Sequence, residues 1–120
     1  MPRFGDLEAL VMDVVWCAPE PVTVRAVLTA LQRDRSIAYT TVMTVMDNLH
    51  RKGWLLRRRE GRAWRYFASA GRDEYAAALL TEALAVTDDH VGAFARFVDR
   101  MSQEDAEALR QALGSTEPPS

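Results

Sequence analysis

Between His50 and Tyr66 seven cationic side chains, Arg51, Lys52, Arg57, Arg58, Arg59, Arg62 and Arg65, face one carboxylate, Glu60, a local charge of +6 within 17 residues. Ordinary solvated surfaces mix both signs, and a one-signed cluster repels itself until a polyanion neutralises it. A DNA duplex is such a partner, because Lys and Arg release its condensed counterions on binding. Just upstream, Tyr39, Thr40, Thr41, Met43, Thr44 and Asn48 supply a phenol, three hydroxyls, a thioether and an amide. Threonine can bond base edges or phosphates, asparagine can read adenine, and a thioether can pack on a thymine methyl. These six are the candidate base-reading residues. Arg51, Lys52, Arg57, Arg58, Arg62 and Arg65 are the candidate backbone contacts. A threonine-rich helix face is often only solvated, and Asp47 can pair with Arg51 at i, i+4; the adjoining cations favour the DNA reading over that one.

The elements that must carry these residues follow from periodicity. Leu7, Leu10, Val11 and Val14 fall on one helical stripe over about residues 6–17, closed by Pro19 and Pro21. Thr23 is a fitting N-cap for a second helix, with Val24, Val27, Leu28 and Leu31 inward, running to about Asp34. Val42, Val45, Met46 and Leu49 form a third stripe that ends at Gly53. At about 100° per residue, Thr40, Thr44, Asp47, Asn48 and Arg51 lie opposite that stripe, with Thr41 and Met43 on its flanks. The period then shortens: residues 54–59 and 62–67, rich in Trp, Tyr, Phe and Arg, flank Glu60-Gly61 and predict a basic β-hairpin. Alternation lets only some of its arginines share a face. Three helices and a hairpin in this order predict a winged helix-turn-helix over residues 1–70.

From Asp73 to Val86 the chain is predicted to be helical and apolar around most of its circumference, which implies burial on more than one side. Thr87-Asp88-Asp89 breaks it, Val91, Phe94, Ala95 and Val98 form the next stripe, and Ser102 caps a last helix with Leu109 and Leu113 inward. A helical segment this short, residues 71–114, cannot bury such surfaces alone. A homodimer through Tyr75, Leu79, Leu80, Val91, Phe94, Phe97, Val98, Leu109 and Leu113 completes it, and residues 115–120 are expected to be a disordered tail. Charge divides in the same way, +5 over residues 1–72 and −7 over 73–120, for a net −2. The expected fold class is thus mainly α with a small β-hairpin, an N-terminal winged helix and a C-terminal helical dimerisation domain.

Other chemistry finds little support in the sequence. The 120 residues, 48% hydrophobic and 27% charged, suit one globular chain. No run approaches the roughly 20 apolar residues of a membrane span, and the first residues lack the order of a signal peptide, so a cytoplasmic protein without membrane insertion is expected. His50 and His90 stand apart, Cys17 is alone and reads as a packed thiol at a helix end, and Trp16, Trp54 and Trp64 read as core or hairpin packing. No nucleophile–base pair, phosphate loop or paired carboxylates are evident, so neither enzyme activity, metal nor cofactor is expected. Two alternatives remain beside a DNA-reading repressor: release by a small ligand held near Tyr75, Phe94 and Phe97, or a winged helix that meets an acidic protein.

Leu7-Glu8, the run Val11-Met12-Asp13-Val14-Val15-Trp16, then Thr23-Val24-Arg25-Ala26-Val27 resemble the opening of the BlaI/MecI/CopY repressors. The stretch from Ala38 to Leu49, Lys52-Gly53, the wing with Arg62 and Tyr66, and Met101 to Asp105 leading to Leu109 and Leu113 continue the resemblance over about residues 5–113. It implies a homodimeric repressor bound to pseudo-palindromic double-stranded DNA operators of β-lactam-resistance-type genes. It further implies derepression by cleavage in the dimerisation domain, through a membrane sensor-protease or a downstream protease. The family's Asn-Phe cleavage pair aligns with Arg96-Phe97, where Phe97 matches and Arg96 departs. The copper-responsive branch carries a cysteine-rich tail, and residues 115–120 contain no cysteine.

Overall fold

A computed structural model of the chain describes residues 3–115. Their order is α1 (Asp6–Cys17), α2 (Val24–Gln32), α3 (Tyr39–Arg51), β1 (Leu55–Glu60), β2 (Ala63–Ala68), α4 (Arg72–Leu84), α5 (His90–Arg100) and α6 (Gln103–Ser115). This is the winged helix with three further helices. The described residues form two compact units, the first ending at Leu80 and the second beginning at Thr81.

Local chemistry sets the boundaries. Thr23 Oγ1 accepts from the Ala26 N–H at 3.1 Å and caps α2. At the end of α3, Gly53 takes φ 87°. Its N–H bonds His50 O and the Trp54 N–H bonds Leu49 O, so two terminal carbonyls are satisfied by a Schellman turn. That turn reverses the chain from α3 directly into β1. Glu60 pairs with Ala63, leaving Gly61-Arg62 as a two-residue hairpin turn. Gly61 supplies the positive φ of 64° that such a turn requires.

The core of the first unit gathers Val11, Met12 and Val15 of α1, the expected quartet of α2, Val42, Met46 and Leu49 of α3, Leu55 of β1 and Tyr66 of β2. The stripe expected on α1 is displaced: Leu7 leaves it, Leu10 and Val14 only flank it, and Met12 and Val15 are buried instead. Helix α1 contacts α2, α3 and β2 together, so its buried face is set by three neighbours, which a single periodic stripe does not anticipate. Val22, between α1 and α2, exchanges both backbone hydrogen bonds with Tyr66, at 2.9 and 2.7 Å, and ties that linker to the hairpin.

An aromatic cluster extends the first unit past residue 70. Phe4 packs edge-on to Trp54 at 5.2 Å, and Tyr75 of α4 meets Trp54 edge-on at 5.3 Å. Trp16 Nε1 donates to Ala70 O at 2.9 Å. Tyr75, expected at a subunit interface, is thus held in the cluster of its own chain, and the first unit takes in α4 as far as Leu80. Cys17 is exposed rather than packed, at the last position of α1, and its contact there is polar: Arg72 bonds Asp13 at 2.7 Å and Cys17 Sγ at 3.3 Å and lies 5.0 Å above the Trp16 ring.

The second unit is built from capped helices. Asp89 Oδ1 accepts from the Gly92 N–H at 2.9 Å at the start of α5, and Ser102 Oγ accepts from the Asp105 N–H at 3.0 Å at the start of α6. The multi-sided burial expected of α4 is not met within one chain: neither α4 nor α5 has a buried residue. Leu80, Val91, Phe94, Phe97, Val98, Leu109 and Leu113 are exposed, so Leu109 and Leu113 are not turned inward within one chain; Leu79 is half-buried. Ser115, expected in the tail, is the last residue of α6; the rest of that tail, residues 116–120, lies outside the described residues.

Candidate nucleic-acid interface

Helix α3 buries Val42, Met46 and Leu49, so its other face turns outward. Tyr39, Thr40, Thr41, Met43 and Thr44 are all exposed, while Asp47 and Asn48 are half-buried. Tyr39, Met43 and Thr44 line a groove of about 650 Å³ together with Arg51, Arg57 and Arg62. Its far wall is the hairpin, through Trp64 and Tyr66, and its near end is the start of α2. Thr40 and Thr41 lie beyond that groove on the first turn of α3. Asn48 Oδ1 accepts from Arg51 Nη2 at 2.9 Å, which draws its amide toward the helix end.

Strand register sorts the hairpin arginines, which alternation alone leaves open. Arg57 pairs with Tyr66 and Arg59 with Trp64, and residues directly opposite share a face. That face turns to α3. Arg58 and Arg65 oppose one another on the other face, a like-charge pair that costs stability. Arg65 is partly neutralised by Glu60 at 3.2 Å, and its Nη1 donates to the Pro21 carbonyl at 3.3 Å.

The cations are not equivalent. Lys52 bonds Glu8 at 2.7 Å and fastens the end of α3 to the start of α1. Burial alone raises the Glu8 carboxyl, yet the hydrogen bonds from Lys52 and from the Gly5 N–H outweigh it and hold its pKa below the usual carboxylate value. Arg51 is paired with Asp47 at 3.0 Å and stays largely open to solvent. Arg57 is half-buried: its Nη1 lies 3.6 Å from Asp47 Oδ1 and 3.3 Å from the Tyr66 hydroxyl, and its guanidinium sits 4.5 Å over Trp64. Among the described residues, Arg58, Arg59 and Arg62 have no carboxylate within ion-pair distance.

Three groove residues escape a reading of the sequence. Thr23 is legible there only as a cap, and Trp64 only as hairpin packing. Arg25, off the apolar stripe of α2, lies 5.1 Å over the Tyr39 ring at the head of α3. Arg59 belongs beside Arg57 on the inward face, 5.2 Å over Trp64; strict alternation from Arg57 is the signal that identifies it. Among the described residues no three His, Cys, Asp or Glu side chains gather in a metal-binding group.

The chain is similar to known proteins in sequence and in fold. It is 46% identical over 120 residues to the transcriptional regulator BlaI of Mycobacterium tuberculosis, across 98% of this chain and 87% of that one. The solved DNA-binding domain of the repressor BlaI superposes with a TM-score of 0.55 at 27% identity, covering 62% of this chain and 89% of that domain. Monomeric Bacillus licheniformis BlaI, solved with the blaP half-operator, superposes with a TM-score of 0.52 at 27% identity over the same shares. The family model described as penicillinase repressor matches residues 4–115. With nearly its whole length matched and a winged helix at its front, the chain belongs to the penicillinase repressor family, a family of transcriptional repressors rather than enzymes.

Proposed function

We propose that this chain is a homodimeric, cytoplasmic repressor that reads pseudo-palindromic duplex operators of β-lactam-resistance-type genes. The observation that carries the DNA reading is one arrangement: Arg62, without a carboxylate partner among the described residues, lines one groove with the exposed Met43 and Thr44 of α3, and Arg58 and Arg59, likewise without one, stand on the adjoining strand β1. Phosphate contacts position a reader and base-edge contacts specify it, and this surface offers both kinds side by side. Tyr39, Thr40, Thr41, Met43, Thr44 and Asn48 read bases. Arg51, Arg58, Arg59, Arg62 and Arg65 meet phosphates, and Lys52 and Arg57 act mainly through the protein contacts described above. The half-operator bound by monomeric Bacillus licheniformis BlaI supports one winged helix per half-site. Two copies joined through Val91, Phe94, Phe97 and Val98 then read a whole operator, with half-sites about one helical turn apart.

Relief of repression follows the same geometry. Arg96-Phe97 lies inside α5, and a protease needs an extended strand, so cutting there requires local opening of the helix. Once α5 is cut, the paired winged helices separate and the gain from linked binding is lost.

Selection of the purified protein against a random duplex library at about 150 mM salt tests the proposal, since non-specific phosphate binding is weak there. Enrichment of a two-fold-symmetric site is the expected result. A folded protein that enriches nothing overturns it and favours an acidic protein as the partner of the wing.

A further inference from the structure

Asp47 is out of place on a surface that meets phosphates, since its carboxylate weakens attraction to any duplex. Its two oxygens have separate partners. Oδ2 accepts from Arg51 Nη2 at 3.0 Å within α3, and Oδ1 faces Arg57 Nη1 on β1 at 3.6 Å. The second is the one ion pair between α3 and the hairpin among the described residues.

Resting on the DNA reading proposed above, we infer that Asp47 and Arg57 form a latch that fixes the wing against α3, so that Asp47 is a positioning residue for base discrimination. The Arg57 guanidinium is held between two partners, both facing its Nη1. Toward the core it bonds the hydroxyl of Tyr66, which is itself buried and joined by its backbone to Val22. Toward α3 it meets Asp47, and Trp64 covers its guanidinium face. Its side chain is only 26% exposed against 71% for Arg51. A duplex phosphate can therefore draw Arg51 away from Asp47 while Arg57 stays in place.

Discrimination requires that Met43 and Thr44 meet base edges while the wing cations meet phosphates of the same duplex. A wing free to shift keeps its phosphate contacts on any sequence and loses the fixed offset between the two contact sets. The latch thus gives up some general affinity and gains selectivity.

The test uses the full chain, the duplex recovered by selection and a scrambled duplex of equal length. Dissociation constants are measured for the wild type, D47N, D47E, R57Q and R57K, with circular dichroism to verify folding. D47N is expected to tighten scrambled-duplex binding, as one anion is lost, and to lower the scrambled-to-selected ratio by about fivefold, the upper end for a partly exposed ion pair. R57Q lowers the same ratio, whereas D47E and R57K, which keep the charges, hold it near the wild-type value. Equal tightening of both duplexes by D47N overturns the latch and leaves Asp47 a bystander charge. Equal weakening of both by R57Q, with a salt slope lower by about one, overturns it and makes Arg57 a phosphate contact. A folded wild type with no preference between the duplexes instead overturns the DNA reading itself, and the latch with it.

Discussion

Tyr75 stacks on Phe4 with ring centroids 4.0 Å apart and planes 8° from parallel, and its hydroxyl accepts the Phe4 N–H at 2.6 Å. The segment before α1 and the first turn of α4 are thereby joined across 71 residues of sequence. The contact holds the first turn of α4 against Phe4, Trp16 and Trp54, none of which lines the groove.

Truncating this stack should destabilise the first unit without touching the groove. Phe4→Ala is expected to cost about 3 kcal/mol, the lower end for a buried aromatic. Tyr75→Phe, which keeps the ring and loses one hydrogen bond, is expected to cost about 1 kcal/mol. Urea unfolding of the full chain measures both. Because Phe4→Ala keeps the backbone N–H that donates to Tyr75, a cost no greater than that of Tyr75→Phe would show that the stacked Phe4 ring is worth no more than the single hydrogen bond.

This contact marks the boundary of what the sequence makes legible. Helix α2 buries Val24, Val27, Leu28 and Leu31 as its period predicts, because it presents one stripe to one core. Gly53 and Gly61 announce their turns because positive φ excludes most other residues. Phe4 and Tyr75 belong to no shared periodic pattern, so their pairing arises only when the chain folds back. The site divides likewise. Exposure of Thr40, Met43 and Thr44 follows from the helical wheel, whereas the sorting of Arg57 from Arg58 needs the strand register, and the claim of Glu8 on Lys52 spans 44 residues.

The Glu8–Lys52 pair carries a pH signature. Because the Glu8 pKa is depressed in the folded chain, its contribution to stability is present above the unfolded value, about 4.3 for a glutamate, and is lost as pH falls through the lower folded value. Glu8→Gln should therefore be less stable than wild type at neutral pH, with the gap closing on acidification below that range. Thermal unfolding of both proteins from pH 7 downward checks this; a gap independent of pH refutes the linkage.

Arg62 and Thr44 should separate affinity from specificity. Arg62 stands at the hairpin turn without a carboxylate partner among the described residues, so Arg62→Ala is expected to weaken selected and scrambled duplexes alike and to lower the salt slope by about one. Thr44 faces the groove from α3, so Thr44→Ala is expected to change which base is preferred at one position, by about 1–3 kcal/mol. Repeating the library selection with each variant distinguishes them. An altered consensus from Arg62→Ala would reverse the assignment of the two residues.

Helix α5 offers the sharpest test of subunit pairing. Val91, Phe94 and Val98 recur at spacings of three and four, so they stand along one side of the helix, with Phe97 on its flank. Phe94 remains 50% exposed and Phe97 48% within one chain. Phe94→Asp places a charge where a second copy is expected to bury a ring, and leaves the first unit and its groove unaltered in sequence. Sedimentation is expected to show a dimer for the wild type and monomers for the variant. Binding to a single half-site should be unchanged, while binding to the full symmetric site should fall by at least about a hundredfold, the loss expected when two linked modules become independent. If the variant is monomeric and still binds the full site as the wild type does, pairing through α5 is not what gives the operator its affinity. If it remains dimeric, the subunits meet through another face.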